Sequence, residues 1–374
     1  MVNNEKISSV QLMFALVTLV TATAWLFVPA ITTEAAAQDG WISVLVPATL
    51  FGGAVVVVCA ALGLRFPERT VIEYSTEILG RYPGKFIGLG YVFFFLHINA
   101  VIIREFGDFI VTSFMPETPL LVFNGVIVLL AAYAVRSGLE VIARANQFVF
   151  PLAVLSLFII LGLVVGDMRP ENLRPVLERG MGPVLKGSLA PSSWRGEVVV
   201  LLMFLPYLNK PREVLMAGLQ AVVFIGVLLA MATAAMVAVF GPEISANFTF
   251  PTLELARYVS VARFIERVEA IVMILWVAGV FIKVSLFYHT GTLATAQWLG
   301  LKDYRPLVLP LGAVQLVWSI TLFENSRELV TFLAKPFPPY AWVFELVIPL
   351  TLLVIAAVRK KGEVRGVRKI SPRN

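Results

Sequence analysis

Long apolar runs separated by short polar connections dominate this chain, and they constrain its fold more than any other feature. A helix of about 20 apolar residues is long enough to cross the hydrocarbon core of a bilayer. Hydrophobic residues make up 59% of the 374 residues, whereas the apolar share of a soluble domain is about 45–50%. The sequence therefore predicts an all-α integral membrane protein that crosses the bilayer many times.

The apolar runs predict ten transmembrane helices, which we call spans 1 to 10 in chain order. They are residues 7–33, 41–64, 86–114, 119–135, 148–166, 188–208, 213–240, 266–290, 306–323 and 340–358. Span 6 begins with charged residues and span 9 is short, so these two differ most from a typical transmembrane helix. An even number of spans places both termini on the same side of the membrane.

Positive charge in the connections predicts the orientation, because cytoplasmic loops carry an excess of lysine and arginine. With the N-terminus inside, the cytoplasmic segments hold 18 basic residues and the outer connections hold nine. Seven of the 18 lie in a basic tail, 359–374. These residues explain the net charge of +6 as membrane anchoring at lipid headgroups, and they give no indication of nucleic-acid binding.

Few residues in the sequence are suited to metal, redox or catalytic chemistry. Cys59 is the single cysteine and lies in an apolar run, and the two histidines form no metal-binding motif. No nucleophile elbow, phosphate-binding loop or paired-carboxylate motif occurs in a usable context. We therefore expect no cofactor, no metal and no enzymatic activity.

A weak internal repeat predicts a five-plus-five inverted arrangement. Phe66-Pro67 after span 2 is followed by a short amphipathic stretch, 68–81, and Phe250-Pro251 after span 7 is followed by a similar stretch, 252–263. The predicted orientation places these two stretches on opposite sides of the membrane, as inversion requires. The first repeat would be residues 7–166 and the second 188–358, in a single membrane domain whose equivalent spans 1 and 6 are discontinuous.

Span 6 starts in an unusual way, because Trp194, Arg195, Gly196 and Glu197 follow a proline and two serines. Helix breakers and charges at membrane depth are tolerated where they line a cavity or pack in the protein interior. Free N–H groups near Gly196 could then bind a ligand carboxylate, and Glu197 could bind a ligand ammonium. The alternative is that Arg195 reaches the headgroups and that Glu197 only stabilises the helix N-terminus.

In span 1, small residues interrupt the bulkier ones at Thr21, Ala22, Thr23 and Ala24, just before Trp25. Small residues allow a ligand or a neighbouring helix to approach the backbone closely, and threonine hydroxyls can satisfy freed carbonyl groups. Ordinary close packing between helices would explain the same pattern.

Spans 3 and 8 carry charges at helical spacing. His97, Arg104 and Asp108 share one stripe of span 3, whereas Glu105 points elsewhere. These three could face a ligand, or Arg104 and Asp108 could form a purely structural pair. Glu269, Trp276 and Lys283 share one face of span 8 at intervals of seven residues. Lys283 could reach the cytoplasmic surface, or it could be a buried cation that replaces a coupling ion.

The chain resembles the GerAB-type B subunits of spore germinant receptors, a branch of the amino acid–polyamine–organocation (APC) transporter superfamily. The resemblance covers nearly the whole chain and is carried by four stretches. They are ISSVQLMFALVTLV, FPERTVIEYSTEILGRYPGKFIGLGYVFFF, WRGEVVVLLMFLPYLNKPREV and FPTLELARYVSVARFIERVEAIVMILWVAGVFIKVS.

The resemblance implies a LeuT-like inverted-repeat fold that binds a small germinant, commonly an amino acid, at breaks in spans 1 and 6. Here these breaks would be Thr21–Trp25 and Trp194–Glu197, facing the stripes of spans 3 and 8. The family also implies an A subunit and a lipoprotein C subunit as partners, in the inner membrane of a bacterial endospore. Span 1 lacks the glycines usual at this place in amino acid transporters.

Three functional hypotheses follow from the sequence. The preferred one is a sensor subunit that binds a nutrient between spans 1, 3, 6 and 8 and signals to partner subunits. The alternative is a proton-coupled amino acid permease that uses Glu197, His97 or Lys283 in coupling. A lipid-modifying membrane enzyme would need an acid–base cluster at headgroup depth, and the sequence shows none.

Overall fold

The regular elements of the protein are helices. The computed structural model describes residues 5–262 and 268–362, and within these ranges the only other regular element is a parallel bridge between Ile7 and Leu208. We number the α-helices in chain order. They are α1 Ser9–Ala36, α2 Gly40–Leu45, α3 Pro47–Gly63, α4 Val71–Leu79, α5 Arg81–Ser113, α6 Leu120–Ser137, α7 Leu139–Val164, α8 Met181–Gly187, α9 Leu189–Gly196, α10 Leu201–Phe204, α11 Val214–Phe240, α12 Pro242–Ser245, α13 Pro251–Ala262, α14 Val268–Leu299, α15 Val308–Thr321, α16 Ser326–Ala334, α17 Phe337–Trp342 and α18 Ile348–Val358.

Seven helical stretches of the described residues are long and apolar enough to cross a membrane, and a bent pair would make eight. The first stretch, Ser9–Gly63, contains the predicted spans 1 and 2 together. The bent pair is α15 with α16, which meet at 100° and contain span 9. Span 6 is absent from this set because shorter helical turns divide it. The predicted spans thus overlap helical segments of the structure. The difference is where individual helices begin and end.

Span 1 differs from its prediction, because α1 is helical without interruption from Ser9 to Ala36. Pro29 has no N–H to donate to the carbonyl of Trp25 one turn earlier. The Thr252 hydroxyl, on α13, donates to that carbonyl at 2.5 Å instead. The helix therefore continues through the proline, because a side chain of the second repeat satisfies the carbonyl that the proline leaves free.

The predicted break in span 6 is present. Helix α9 ends at Gly196, a 3-10 turn occupies Glu197–Val200, and a second 3-10 turn at Leu205–Tyr207 follows α10. Three consecutive β-branched valines in the first of these turns lower the local preference for regular α-helix. Glu197 is therefore the first residue after a regular helix, deep inside the protein, where it is 2% exposed.

Both stretches that suggested the repeat contain short helices. Helix α4 begins after a capping box formed by Thr70 and Glu73, and α13 begins at Pro251 in the first-turn position that suits proline. Three parts of the sequence predictions lie outside the described residues: Arg263, Arg267 and the basic tail beyond Gly362.

Helices α5 and α14 pack extensively against each other, as do α1 and α11, and α1 also contacts α14. The turn after α9 contacts α1 and α3. Spans 1, 3, 6 and 8 therefore surround a common interior, which is where the charged side chains of the next section meet.

Candidate functional site

A buried ion pair joins span 6 to span 8. The Lys283 Nζ atom lies 2.8 Å from Oε2 and 3.0 Å from Oε1 of Glu197. Lys283 is fully buried, so it does not reach the membrane surface as the alternative interpretation supposed. A buried pair of this kind is stable only while both partners remain in place.

Thr23 connects this pair to span 1. Its hydroxyl oxygen accepts a hydrogen bond from Lys283 Nζ at 3.0 Å and another from Trp194 Nε1 at 3.1 Å. The indole of Trp194 also packs edge-on against Phe337 at a centroid distance of 5.8 Å. Four of the predicted site residues, from three different spans, therefore meet at one point.

Two further carboxyl groups, which the sequence prediction missed, lie beside the pair. Glu105 on α5 is buried and hydrogen-bonds Thr23, while its Oε2 atom has no partner among the described residues. Glu345 lies in a π-helical turn, Val343–Val347, between α17 and α18. Its carboxyl packs against Gly196, where an added Cβ atom would overlap it. We call Thr23, Glu105, Glu197, Lys283 and Glu345 the charged cluster.

The charged cluster is suited to recognise a small zwitterion. A ligand carboxylate can compete with Glu197 for the Lys283 ammonium, and a ligand ammonium can compete with Lys283 for Glu197. Either exchange would loosen the contact between spans 6 and 8. Among the described residues, no three His, Cys, Asp or Glu side chains lie close enough together to hold a metal ion.

A small apolar cavity of about 40 Å³ lies between α1, α5, α7, α13 and α14. Its lining includes four predicted site residues, Thr21, Ala22, Trp25 and Trp276. The indole N–H groups of Trp25 and Trp276 have no hydrogen-bond partner among the described residues. A cavity of this volume holds only a few water molecules.

Arg195 and Ala24 face away from the charged cluster. The guanidinium of Arg195 is fully buried and donates to the Val44 carbonyl at 3.3 Å. It therefore packs towards span 2 and does not reach the headgroups. Ala24 is part of the apolar core.

His97 and Arg104 also lie apart from the cluster, on the face of α5 towards spans 9 and 10. The His97 ring lies 3.3 Å from the Tyr340 hydroxyl and stacks on Phe93. Arg104 pairs with Asp108 at 2.9 Å, as the structural alternative predicted. The residue of α5 that reaches the cluster is their neighbour Glu105. Of the stripe on span 8, the side chain of Glu269 lies outside the described part of the chain.

A second cavity, of about 610 Å³, opens near the C-terminal end of α1, between α8, α9 and α17. Its charged lining residues are Glu34, Lys186 and Lys335. Ala190 of α9 lines this cavity, and Trp194 lies one turn further along the same helix. Trp194, which donates to Thr23 beside the ion pair, thus lies one helical turn from the lining of this cavity.

Comparison with known sequences identifies the family of this chain. The profile of the spore germination protein family matches residues 6–327. Spore germination protein KB of Bacillus subtilis (strain 168) is 29% identical over 331 residues, covering 87% of this chain and 88% of that protein. Spore germination protein YndE of the same organism is 26% identical and covers 96% of this chain and 98% of its own length.

Solved transporter structures share the fold. MhsT, crystallised in complex with L-phenylalanine, superposes with a TM-score of 0.65 at 13% identity, covering 94% of this chain and 99% of MhsT. A Na⁺-coupled sialic acid symporter in a substrate-bound outward-open state gives a TM-score of 0.63 at 13% identity, covering 90% of this chain and 79% of the symporter. These likenesses confirm the predicted LeuT-like transporter fold.

Proposed function

Because this chain belongs to the spore germination protein family, we propose that it is the nutrient-sensing membrane subunit of a germination receptor. A small nutrient, by preference an amino acid, binds between spans 1, 3, 6 and 8. Binding changes the packing of span 6, and partner subunits detect the change. The family supports an A subunit and a lipoprotein C subunit as partners and the inner spore membrane as the location, and the distribution of lysine and arginine supports cytoplasmic termini.

The observation that carries this proposal is the Lys283–Glu197 pair at the break of span 6. The Lys283 ammonium donates hydrogen bonds to both carboxylate oxygens of Glu197 and to the Thr23 hydroxyl, and all three side chains are buried. An ammonium and a carboxylate on one ligand match these two charges. The likeness of the fold to MhsT, which was solved with L-phenylalanine, is consistent with an amino acid ligand.

Sensing requires only that the ligand binds one conformation more tightly than another. In the conformation described here, the apolar cavity is small and Lys283 is saturated by protein groups. A ligand would favour a second conformation in which span 6 has moved and Lys283 or Glu197 is released. The difference in affinity between the two conformations is the signal passed to the partners.

The direct test is ligand binding by a Glu197→Gln variant. We expect this substitution to abolish saturable binding of the amino acid that binds the wild-type protein, because the variant loses the negative charge that faces a ligand ammonium. The protein should still fold, because the Glu105 carboxyl lies close enough to Lys283 to offset its charge. Scintillation proximity with labelled amino acids measures the binding.

Glu243→Gln is the matched control, since Glu243 is an exposed glutamate on α12. It should bind like the wild-type protein. Unchanged affinity in Glu197→Gln would refute the role of the charged cluster in ligand binding.

A permease is the second candidate. It is favoured by the transporter fold and by the buried cationic side chain of Lys283. Proteoliposomes distinguish the two functions. Accumulation of a labelled amino acid driven by a pH gradient would establish a permease. Saturable binding without accumulation would support the sensor.

A further inference from the structure

Glu345 is a buried carboxyl group with no hydrogen-bond donor among the described residues. It is 0% exposed, and neither of its oxygens has a partner. Ionised carboxylates in protein interiors are normally paired with a cation or receive several hydrogen bonds. The surroundings of Glu345 therefore do not suit an ionised carboxylate.

Lys283 cannot supply the missing donor. An ammonium group has three N–H donors. Two of those in Lys283 are directed at the oxygens of Glu197, and the third is directed at Thr23. The charge of Lys283 is likewise matched by Glu197. A negative charge on Glu345 would therefore be in excess.

The other titratable groups around Glu345 do not compensate it either. The Tyr91 hydroxyl on α5 donates to the Phe344 carbonyl at 2.9 Å, and the Tyr340 hydroxyl on α17 pairs with His97. Cys59 on α3 interacts with Glu345 only electrostatically, and so does Glu197, which adds a like charge. Within residues 5–262 and 268–362 no arginine forms an ion pair with the carboxyl, and the guanidinium of Arg195 donates to the Val44 carbonyl instead.

The position of Glu345 links it to the break in span 6. The π-helical turn that carries it, Val343–Val347, packs against the 3-10 turn Glu197–Val200. Its carboxyl contacts the backbone at Gly196, a position that only glycine leaves open. Single π-helical turns occur frequently at functional sites. Two irregular helical turns thus meet at one carboxyl group, next to the ion pair.

We propose that Glu345 is a proton-binding site that holds the break of span 6 in its packed state. Its carboxyl carries a proton while it is packed against Gly196. When span 6 moves and water reaches the group, the carboxyl O–H bond breaks and the proton passes to water. The charged cluster thereby binds a proton in the closed conformation, independently of any nutrient.

Infrared difference spectroscopy on the full-length protein in lipid nanodiscs tests this proposal without a ligand. The difference between wild-type and Glu345→Gln protein at neutral pH should contain the C=O stretching band of a protonated carboxyl group. Glu105→Gln is the matched comparison, because Glu105 is a second buried carboxyl of the same cluster. The band assigned to Glu345 should persist in the Glu105→Gln protein.

Two substitutions keep the proposal falsifiable if one variant does not fold. Glutamine mimics the neutral acid, and methionine is an apolar residue of similar volume. Both Glu345→Gln and Glu345→Met should fold, because a protonated Glu345 makes no hydrogen bond that these variants would lose. Failure of both to fold, while the exposed control variant Glu243→Gln folds like the wild type, would show that Glu345 acts as a charged group and would overturn the proposal.

The pH dependence of thermal stability gives an independent measurement. At neutral pH an exposed glutamate in the unfolded chain is ionised, so folding would take up one proton. Stability should then decrease as the pH rises, by up to tenfold in the folding equilibrium for each pH unit. Glu345→Gln should lose this one-proton slope. A slope identical to that of the wild-type protein, or absence of the infrared band, would contradict a proton on Glu345 and would leave the proposed nutrient site unaffected.

Discussion

At the scale of single residues, Lys283 is the positive charge that balances the carboxylate of Glu197 in the charged cluster. Its hydrogen bonds join the irregular turn of span 6 to the middle of span 1. Removing one member of a buried ion pair typically costs about 3–5 kcal/mol when no other group compensates the remaining charge, and Glu105 lies close enough to Lys283 to reduce this cost. The contact between spans 6 and 8 therefore depends on both charges, and a competing charged ligand can disturb it.

Arg104 provides a residue-scale prediction about stability. Its Nε atom donates to Asp108 at 2.9 Å, and its Nη1 atom donates to the carbonyls of Ile320 at 3.1 Å and Phe323 at 2.6 Å, near the end of α15. We expect Arg104→Leu to lower the free energy of unfolding by about 3–5 kcal/mol, because Asp108 loses its buried partner. The thermal unfolding midpoint in detergent reports the change.

The double variant Arg104→Leu/Asp108→Leu separates the two roles of Arg104. It removes the unpaired charge but leaves the carbonyls at the end of α15 without their donor, so it should recover only part of the lost stability. Full recovery would show that the pair is the whole role of Arg104 and that its hydrogen bonds to α15 contribute nothing.

At the scale of elements, a hydrogen bond from α13 supports the helix of span 1 beside its proline. The carbonyl of Trp25 would be unsatisfied beside Pro29, and Thr252 on α13 donates to it. Helix α13 contacts both α1 and α14. A movement of α13 would break this hydrogen bond, so the conformation of span 1 depends on the position of α13.

A double-mutant cycle tests this dependence. Thr252→Val should reduce the free energy of unfolding by about 1–3 kcal/mol, because it leaves a buried carbonyl without a donor. In the Pro29→Ala background, the alanine N–H can donate to the same carbonyl, so Thr252→Val should cost much less. Equal costs in the two backgrounds would rule out the hydrogen bond to Trp25 as the reason for the loss. Thermal unfolding of the four proteins gives the coupling energy.

At the scale of the whole molecule, the N-terminal segment contacts the end of span 6, and a cavity lies near the start of the same span. The Ile7 N–H donates to the Tyr207 carbonyl at 2.8 Å, and Asn209 donates back to the Ile7 carbonyl at 3.0 Å. Lys6 Nζ donates to the Pro206 carbonyl at 3.0 Å. The N-terminal segment is thus attached to the end of span 6. The cavity of about 610 Å³ lies beyond Trp194 on the other side of the cluster.

The sequence predicts the centre of the site because burying charge in a membrane protein is costly. Glu197 and Lys283 each lie in an apolar run, and such residues normally face the protein interior and find a partner. Thr23 was predicted from small residues alone. Their meeting point could not be derived, because it depends on how spans 1, 6 and 8 rotate against one another.

The same uncertainty about rotation explains the two carboxyl groups that were missed. The helical stripe of His97, Arg104 and Asp108 was assigned correctly to one face of α5, but that face packs on spans 9 and 10. Glu105 reaches the cluster from the opposite side. Glu345 is an isolated carboxylate within the last apolar run. Its lone charge at membrane depth was the available signal for it.

The central claim is that the charged cluster binds a small nutrient, and ligand-dependent thermal stability tests it most directly. We would measure the unfolding midpoint of the purified protein in nanodiscs against a panel of amino acids, nucleosides and sugars. A ligand at 100 times its dissociation constant adds about 2.7 kcal/mol to the stability of the protein that binds it. We expect at least one amino acid to raise the midpoint of the wild-type protein and of Glu243→Gln, and to leave that of Glu197→Gln unchanged. An equal rise in both variants, or no rise with any compound, would contradict the central claim.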